Sequence, residues 1–69
     1  MEVTINGEVK SFEGKSLTVK WILSAEHIKS PDMVSVQLNG EFVERSKYSE
    51  TNIKNGDTLD FLYFMGGGR

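Results

Sequence analysis

Apolar residues along this chain fall in short runs whose period switches between two and about 3.6 residues. Val3 and Ile5 alternate with Thr4 ahead of Asn6-Gly7, and Val9 and Phe12 follow. Asn-Gly supplies the two positive-φ residues that a tight type I′ hairpin requires. The opening stretch is therefore read as a hairpin, with Val3, Ile5 and either Val9 or Phe12 facing inward and Glu13-Gly14-Lys15 as its exit turn. Val19, Ile22 and Leu23 then share one face at helical spacing, and Ala25 and Ile28 widen it. A hydroxyl at Ser16 or Thr18 can take up an orphan amide of the first turn. Pro31 disfavours helical geometry at the residue before it, so the helix is expected to stop ahead of Ser30-Pro31. Trp21 lies on the flank of the apolar face, where it either covers the edge of the core or meets a partner.

Strand periodicity returns with Val34, Val36 and Leu38, which alternate with Ser35 and Gln37. A second Asn-Gly pair, Asn39-Gly40, turns the chain into Phe42-Val43. Glu44 to Asn52 is polar and reads as an irregular crossover with room for a single helical turn, pinned to the core by Tyr48 and Ile53. Asn55-Gly56-Asp57 is a turn. In the last strand Leu59, Phe61 and Tyr63 face the core and alternate with Asp60, Leu62 and Phe64. One helix covers only one face of a sheet. The first and last strands then pair most naturally in parallel at its centre, with the helix crossing over. That is an α+β arrangement, the β-grasp or ubiquitin-like fold, with a mixed sheet of four to five strands. The expected division is a β-grasp domain over residues 1–65 and a flexible glycine tail over 66–69.

Composition narrows the function classes. At 69 residues, a single small domain buries only about 60% of the surface its unfolded chain exposes. There is no cysteine, which removes disulfides, thiolate-held zinc, iron–sulfur clusters and thiol nucleophiles, and fits a reducing compartment. Charges of both signs are interspersed with a net of −2, so there is no basic footprint for nucleic acid. No apolar run approaches the roughly 20 residues of a membrane helix. Met1-Glu2-Val3-Thr4 lacks the positive-then-apolar start of a signal peptide. The expected location is the cytoplasm, with no membrane or nucleic-acid partner.

Catalytic candidates are sparse. His27 is the only histidine, placed near the expected helix end, where a protonated imidazole would complement the helix dipole; no metal site is expected. Glu41 and Glu44 flank the second hairpin without the marks of an acid–base pair. No Walker or dinucleotide-binding glycine pattern is present. No catalytic residue is assigned. The end of the last strand differs, because Leu62, Phe64 and Met65 continue the apolar run on the face away from the helix. Two readings stand: a local mini-core with the crossover, or a partner-docking patch. Beyond it, Gly66-Gly67-Gly68-Arg69 is either a frayed end or an arm narrow enough to enter another protein's active site. Extended at about 3.3 Å per residue, four residues reach roughly 13 Å.

These pieces together resemble the ThiS family of thiamine-pathway sulfur carriers. The resemblance rests on the Asn-Gly hairpin, Leu17-Thr18-Val19 with Ile22-Leu23, and Val34 to Val43. It continues through Asn55-Gly56-Asp57-Thr58-Leu59 to the ending Phe64-Met65-Gly66-Gly67-Gly68. The related MoaD carriers of molybdopterin synthesis share that ending. The resemblance implies a protein co-substrate rather than an enzyme, with no bound cofactor. A ThiF-like partner would adenylate the terminal glycine carboxylate using ATP, a sulfur donor would convert it to a thiocarboxylate, and a ThiG-like thiazole synthase or another sulfur-accepting enzyme would receive the sulfur. The carrier would be a monomer when free. Gly68 would be the thiocarboxylate bearer, with Gly66 and Gly67 threaded behind it. Arg69 departs from the family's glycine ending. It implies processing between Gly68 and Arg69 by a trimming protease, as in carriers for homocysteine or cysteine synthesis. A ubiquitin-like protein modifier is the alternative from a different class.

Overall fold

The computed structural model describes residues 1–28 and 33–63. Strand β1 (Glu2–Ile5) forms an antiparallel hairpin with β2 (Glu8–Ser11), turning at Asn6 (φ 51°) and Gly7 (φ 85°). A short β3 (Leu17–Thr18) leads into helix α1 (Val19–Ala25). Then come β4 (Val34–Leu38) and β5 (Glu41–Val43), joined by Asn39 (φ 52°) and Gly40 (φ 86°), and a 3-10 turn over Arg45–Lys47. β6 (Asn52–Ile53) and β7 (Thr58–Tyr63) complete the described chain. The main sheet has the order β2-β1-β7-β4-β5, with β1 and β7 parallel and the other pairs antiparallel. The expected mixed sheet, with its first and last strands parallel at the centre and one helix, is the observed one.

The core lies between α1 and the inward side of this sheet. Val3 and Ile5 of β1, Val34 and Val36 of β4, Val43 of β5, and Leu59 and Phe61 of β7 meet Val19, Ile22 and Leu23 of the helix. Each such apolar side chain contributes about 1.5–3 kcal/mol when fully buried. Tyr48 and Ile53 are buried too, so the crossover is pinned where expected. Its carbonyls also begin the helix. Val19 N–H donates to the Thr51 carbonyl and Lys20 N–H to the Tyr48 carbonyl, while Trp21 N–H donates to Thr18 Oγ1. Three amides that a helix leaves orphaned at its start are thereby satisfied. Of the two hydroxyls considered for the cap, Thr18 provides it.

The helix ends earlier than Pro31 requires. His27 sits at φ 57°, its N–H donates to the Ser24 carbonyl, and Ile28 N–H reaches back to the Leu23 carbonyl. This paired closure around a left-handed residue is a Schellman stop, and Ile28 packs against the core just beyond it. His27, directly after the cap Glu26, is therefore the helix terminator and lies just outside α1. Ile28 keeps its inward place without being helical. Two further features carry no periodic signal. β3 and β6 form their own two-stranded sheet, Leu17 opposite Ile53 and Thr18 opposite Asn52. Lys10 Nζ donates to Glu26 Oε1 at 2.7 Å, tying the edge strand to the helix end. That carboxylate, accepting the hydrogen bond, holds the Lys10 ammonium above its ordinary range against the opposing effect of partial burial.

Candidate functional site: the exit end of the last strand

β7 is the middle strand, and its two sides are held at different points. On the β1 side, Thr4 N–H donates to the Asp57 carbonyl at 2.9 Å and Asn6 N–H to the Leu59 carbonyl at 3.0 Å. Asn6 Oδ1 then accepts from Phe61 N–H at 2.8 Å. On the β4 side, Asn39 Oδ1 accepts from Thr58 N–H at 2.9 Å, and Asn39 N–H donates to the Thr58 carbonyl at 2.7 Å. The pairing with β4 runs unbroken to Leu62 opposite Ser35 and Tyr63 opposite Val34. Both Asn-Gly turns therefore grip the last strand with the same side chains that make the turns.

Past Phe61 the strand leaves the core. Leu59 and Phe61 are 0% and 5% exposed, whereas Leu62 is 52% and Tyr63 53%. For Leu62 this is the expected outward position. For Tyr63 it corrects the expectation of a core residue. Tyr63 shares inward parity with Leu59 and Phe61, but the seven residues of α1 span only about 10 Å at 1.5 Å each. The six residues of β7 span about 20 Å at 3.4 Å each. A helix that short cannot cover the strand to its end.

Two other large apolar side chains are exposed, Met33 beside the exit and Phe42 level with the middle of β7. Phe42 of β5 is exposed on the open face; its partner across the ladder is Gln37 of β4, which also lies opposite Asp60 of β7. Met33, just ahead of Val34, is exposed as well. A shallow groove of about 650 Å³ runs between Val34 and Ser35 of β4, Phe42 of β5 and the start of the crossover at Glu44, Arg45 and Ser46. Because Val34 and Ser35 pair with Tyr63 and Leu62, this groove adjoins the point where the chain departs toward its glycines. Phe42, Met33 and the exposure of Tyr63 escape a reading of strand alternation, which says which side a residue faces but not where its cover ends.

Of the candidate residues, Leu62 is placed on the open face at the exit. Phe64, Met65, Gly66, Gly67, Gly68 and Arg69 lie outside the described residues. Trp21, on the opposite side, rests edge-on against Phe12, with ring centroids 5.8 Å apart. Since Phe12 packs on the core, Trp21 covers the core's edge. Glu41 and Glu44 are exposed. Among the described residues, no three acidic or histidine side chains come together to hold a metal ion, and no helix is long and apolar enough to cross a membrane.

The comparisons agree with this architecture. The ThiS family model matches residues 3–68. A crystal structure of the thiamine biosynthesis protein ThiS from Geobacter metallireducens superposes with a TM-score of 0.87 at 45% identity, covering 99% of this chain and all of that one. A solution structure of a thiamine biosynthesis protein from the same organism matches with a TM-score of 0.80 at 44% identity, covering this chain fully and 90% of the other. A thiazole synthase from Paramagnetospirillum magneticum is 37% identical over 68 residues, or 99% of this chain and 20% of that protein. The chain thus spans about a fifth of the curated relative it matches.

Proposed function

We propose that this chain, which belongs to the ThiS family of sulfur carriers in thiamine biosynthesis, carries sulfur on Gly68 as a C-terminal thiocarboxylate. The observation that carries the reading is the extent of the family match, which runs through Gly66-Gly67-Gly68 and stops short of Arg69. The chemistry follows from what a carboxylate lacks. It is a poor electrophile, and a ThiF-like enzyme would convert it with ATP into an acyl-adenylate, releasing pyrophosphate and creating a leaving group. Sulfur at the sulfide level would then attack the acyl carbon and expel AMP. The resulting thiocarboxylate is a soft nucleophile that holds sulfur without releasing it. Activation at Gly68 requires that the Gly68–Arg69 peptide bond be cut first, since only a free carboxylate can be adenylated.

The exposed apolar end of β7 supports a docking role for Leu62, with Phe64 and Met65 following in the sequence. A ThiG-like thiazole synthase is the proposed sulfur acceptor. Support comes from the relative named thiazole synthase, in which a stretch similar to this whole chain makes up a fifth of the protein.

The test is a mass measurement on two chains, one ending at Gly68 and one retaining Arg69, each incubated with a ThiF-like enzyme, ATP and a sulfur source. The chain ending at Gly68 is expected to exchange one oxygen for sulfur, and the longer chain to remain unchanged. Activation of the longer chain without cleavage would remove the processing step. Conjugates to lysine with no thiocarboxylate would make the protein a modifier instead.

A further inference from the structure

We propose that Asn6 is a positioning residue for the carboxyl-terminal arm, its side chain fixing where the arm's base leaves the sheet; this rests on the carrier reading above. β1 and β7 form a parallel ladder. Its backbone rungs, Thr4 to Asp57 and Asn6 to Leu59, place the next donor, Phe61 N–H, where the Asn6 carbonyl would receive it if β1 continued. β1 does not continue, because Asn6 at φ 51° turns the chain into β2. The side-chain oxygen of the same residue takes the carbonyl's place, at 2.8 Å and partly buried. Asn6 thus serves β7 twice, once through its backbone N–H and once through Oδ1.

Phe61 is the last residue of β7 that these bonds hold from the β1 side. Leu62 and Tyr63 are paired with β4, so the Asn6 contact is the last hold on the strand from the β1 side before its exposed end. Gly68 lies seven residues past Phe61 (68 minus 61), a reach of about 23 Å when extended. The turn alone does not demand this side chain. Glycine tolerates both positive-φ positions of an Asn-Gly hairpin, and aspartate also serves there, but glycine carries no acceptor. Asn39 provides the natural control. It makes the matching pair of bonds to Thr58 at the strand's start, far from the exit, where a lost bond affects stability and not aim.

The test uses chains ending at Gly68. Adenylation by a ThiF-like enzyme is followed as a function of carrier concentration, alongside amide exchange by NMR. Asn6→Gly keeps the turn and removes the rung. It is expected to raise KM for the carrier about fivefold, the fold-change corresponding to one net hydrogen bond, with kcat within about twofold. Amide exchange at Phe61, Leu62 and Tyr63 should quicken while Val36 stays unchanged. Asn6→Asp, which keeps an acceptor, should restore KM. Asn39→Gly should lower Tm and leave KM alone. The proposal is overturned if Asn6→Gly lowers Tm without moving KM or the exchange at Leu62 and Tyr63, or if Asn39→Gly raises KM equally. A parent chain that is never adenylated defeats the carrier reading itself, an outcome distinct from both.

Discussion

Thr58–Phe61 and Leu62–Tyr63 are consecutive stretches of one strand, paired to the same neighbour in unbroken register, yet their side chains meet opposite surroundings. In the first stretch Leu59 and Phe61 are sealed under α1, and a turn asparagine holds each end. In the second, residues of both parities are half exposed. Burial here is decided by the reach of the cover and not by alternation. A helix of seven residues closes over the first stretch only. The strand is therefore core at its start and apolar but exposed at its end.

The comparison breaks most visibly in stability. Leu59→Ala and Phe61→Ala should each cost about 2–5 kcal/mol. That is a large share of the roughly 3–10 kcal/mol available to a domain of this size, and chemical denaturation would report it as loss of the folded baseline or a much lower midpoint. Leu62→Glu on the same strand should stay within about 0.5 kcal/mol of the parent. Its effect should appear instead in partner binding, as a loss of about 2 kcal/mol, or roughly thirtyfold in Kd by calorimetry. Phe64→Glu extends this test beyond the described strand: an intact fold with lost binding marks it as docking surface, and unfolding marks it as core.

Smaller effects sharpen the other boundary, the end of the helix. His27→Gly relieves a non-glycine residue of its left-handed backbone. Offset by the looser unfolded chain, the gain should be about 0.5–1 kcal/mol in thermal unfolding, with adenylation unaltered. The smallest effect concerns Lys10 and Glu26. Because the folded-state pKa of Lys10 is raised, the pair's stabilisation is fully present below the ordinary lysine value of about 10.4 and fades as pH rises through the higher folded value. Denaturation midpoints of the parent should therefore fall above about pH 10 relative to those of Lys10→Met, and keep a constant offset below it.

Much of this fold was legible because its punctuation is local. Asn6-Gly7 and Asn39-Gly40 announce hairpins by backbone chemistry alone, and β4 alternates cleanly. With a single helix to cross over, parallel pairing of the outer strands in sequence is the simplest closure. What escaped depends on distance in the chain. Nothing near Asn6 says that its side chain will serve Phe61, 55 residues away. The β3–β6 pair is two residues long on each side, too short for periodicity. The helix stop at His27 was hidden because Pro31 offered a stronger but later signal. Of the exposed strand end, the outward position of Leu62 follows from its parity, whereas the exposure of Tyr63 depends on how far the helix reaches.

The central claim is that the chain hands sulfur from its own terminus to thiazole formation. The most direct measurement loads the chain ending at Gly68 with radiolabelled sulfur, purifies it, and supplies it as sole sulfur source to a ThiG-like thiazole synthase with its other substrates. The account predicts that label leaves the carrier and appears in the thiazole product in equal amount. Label retained on the carrier with no labelled thiazole formed, or label released only as free sulfide, would contradict it.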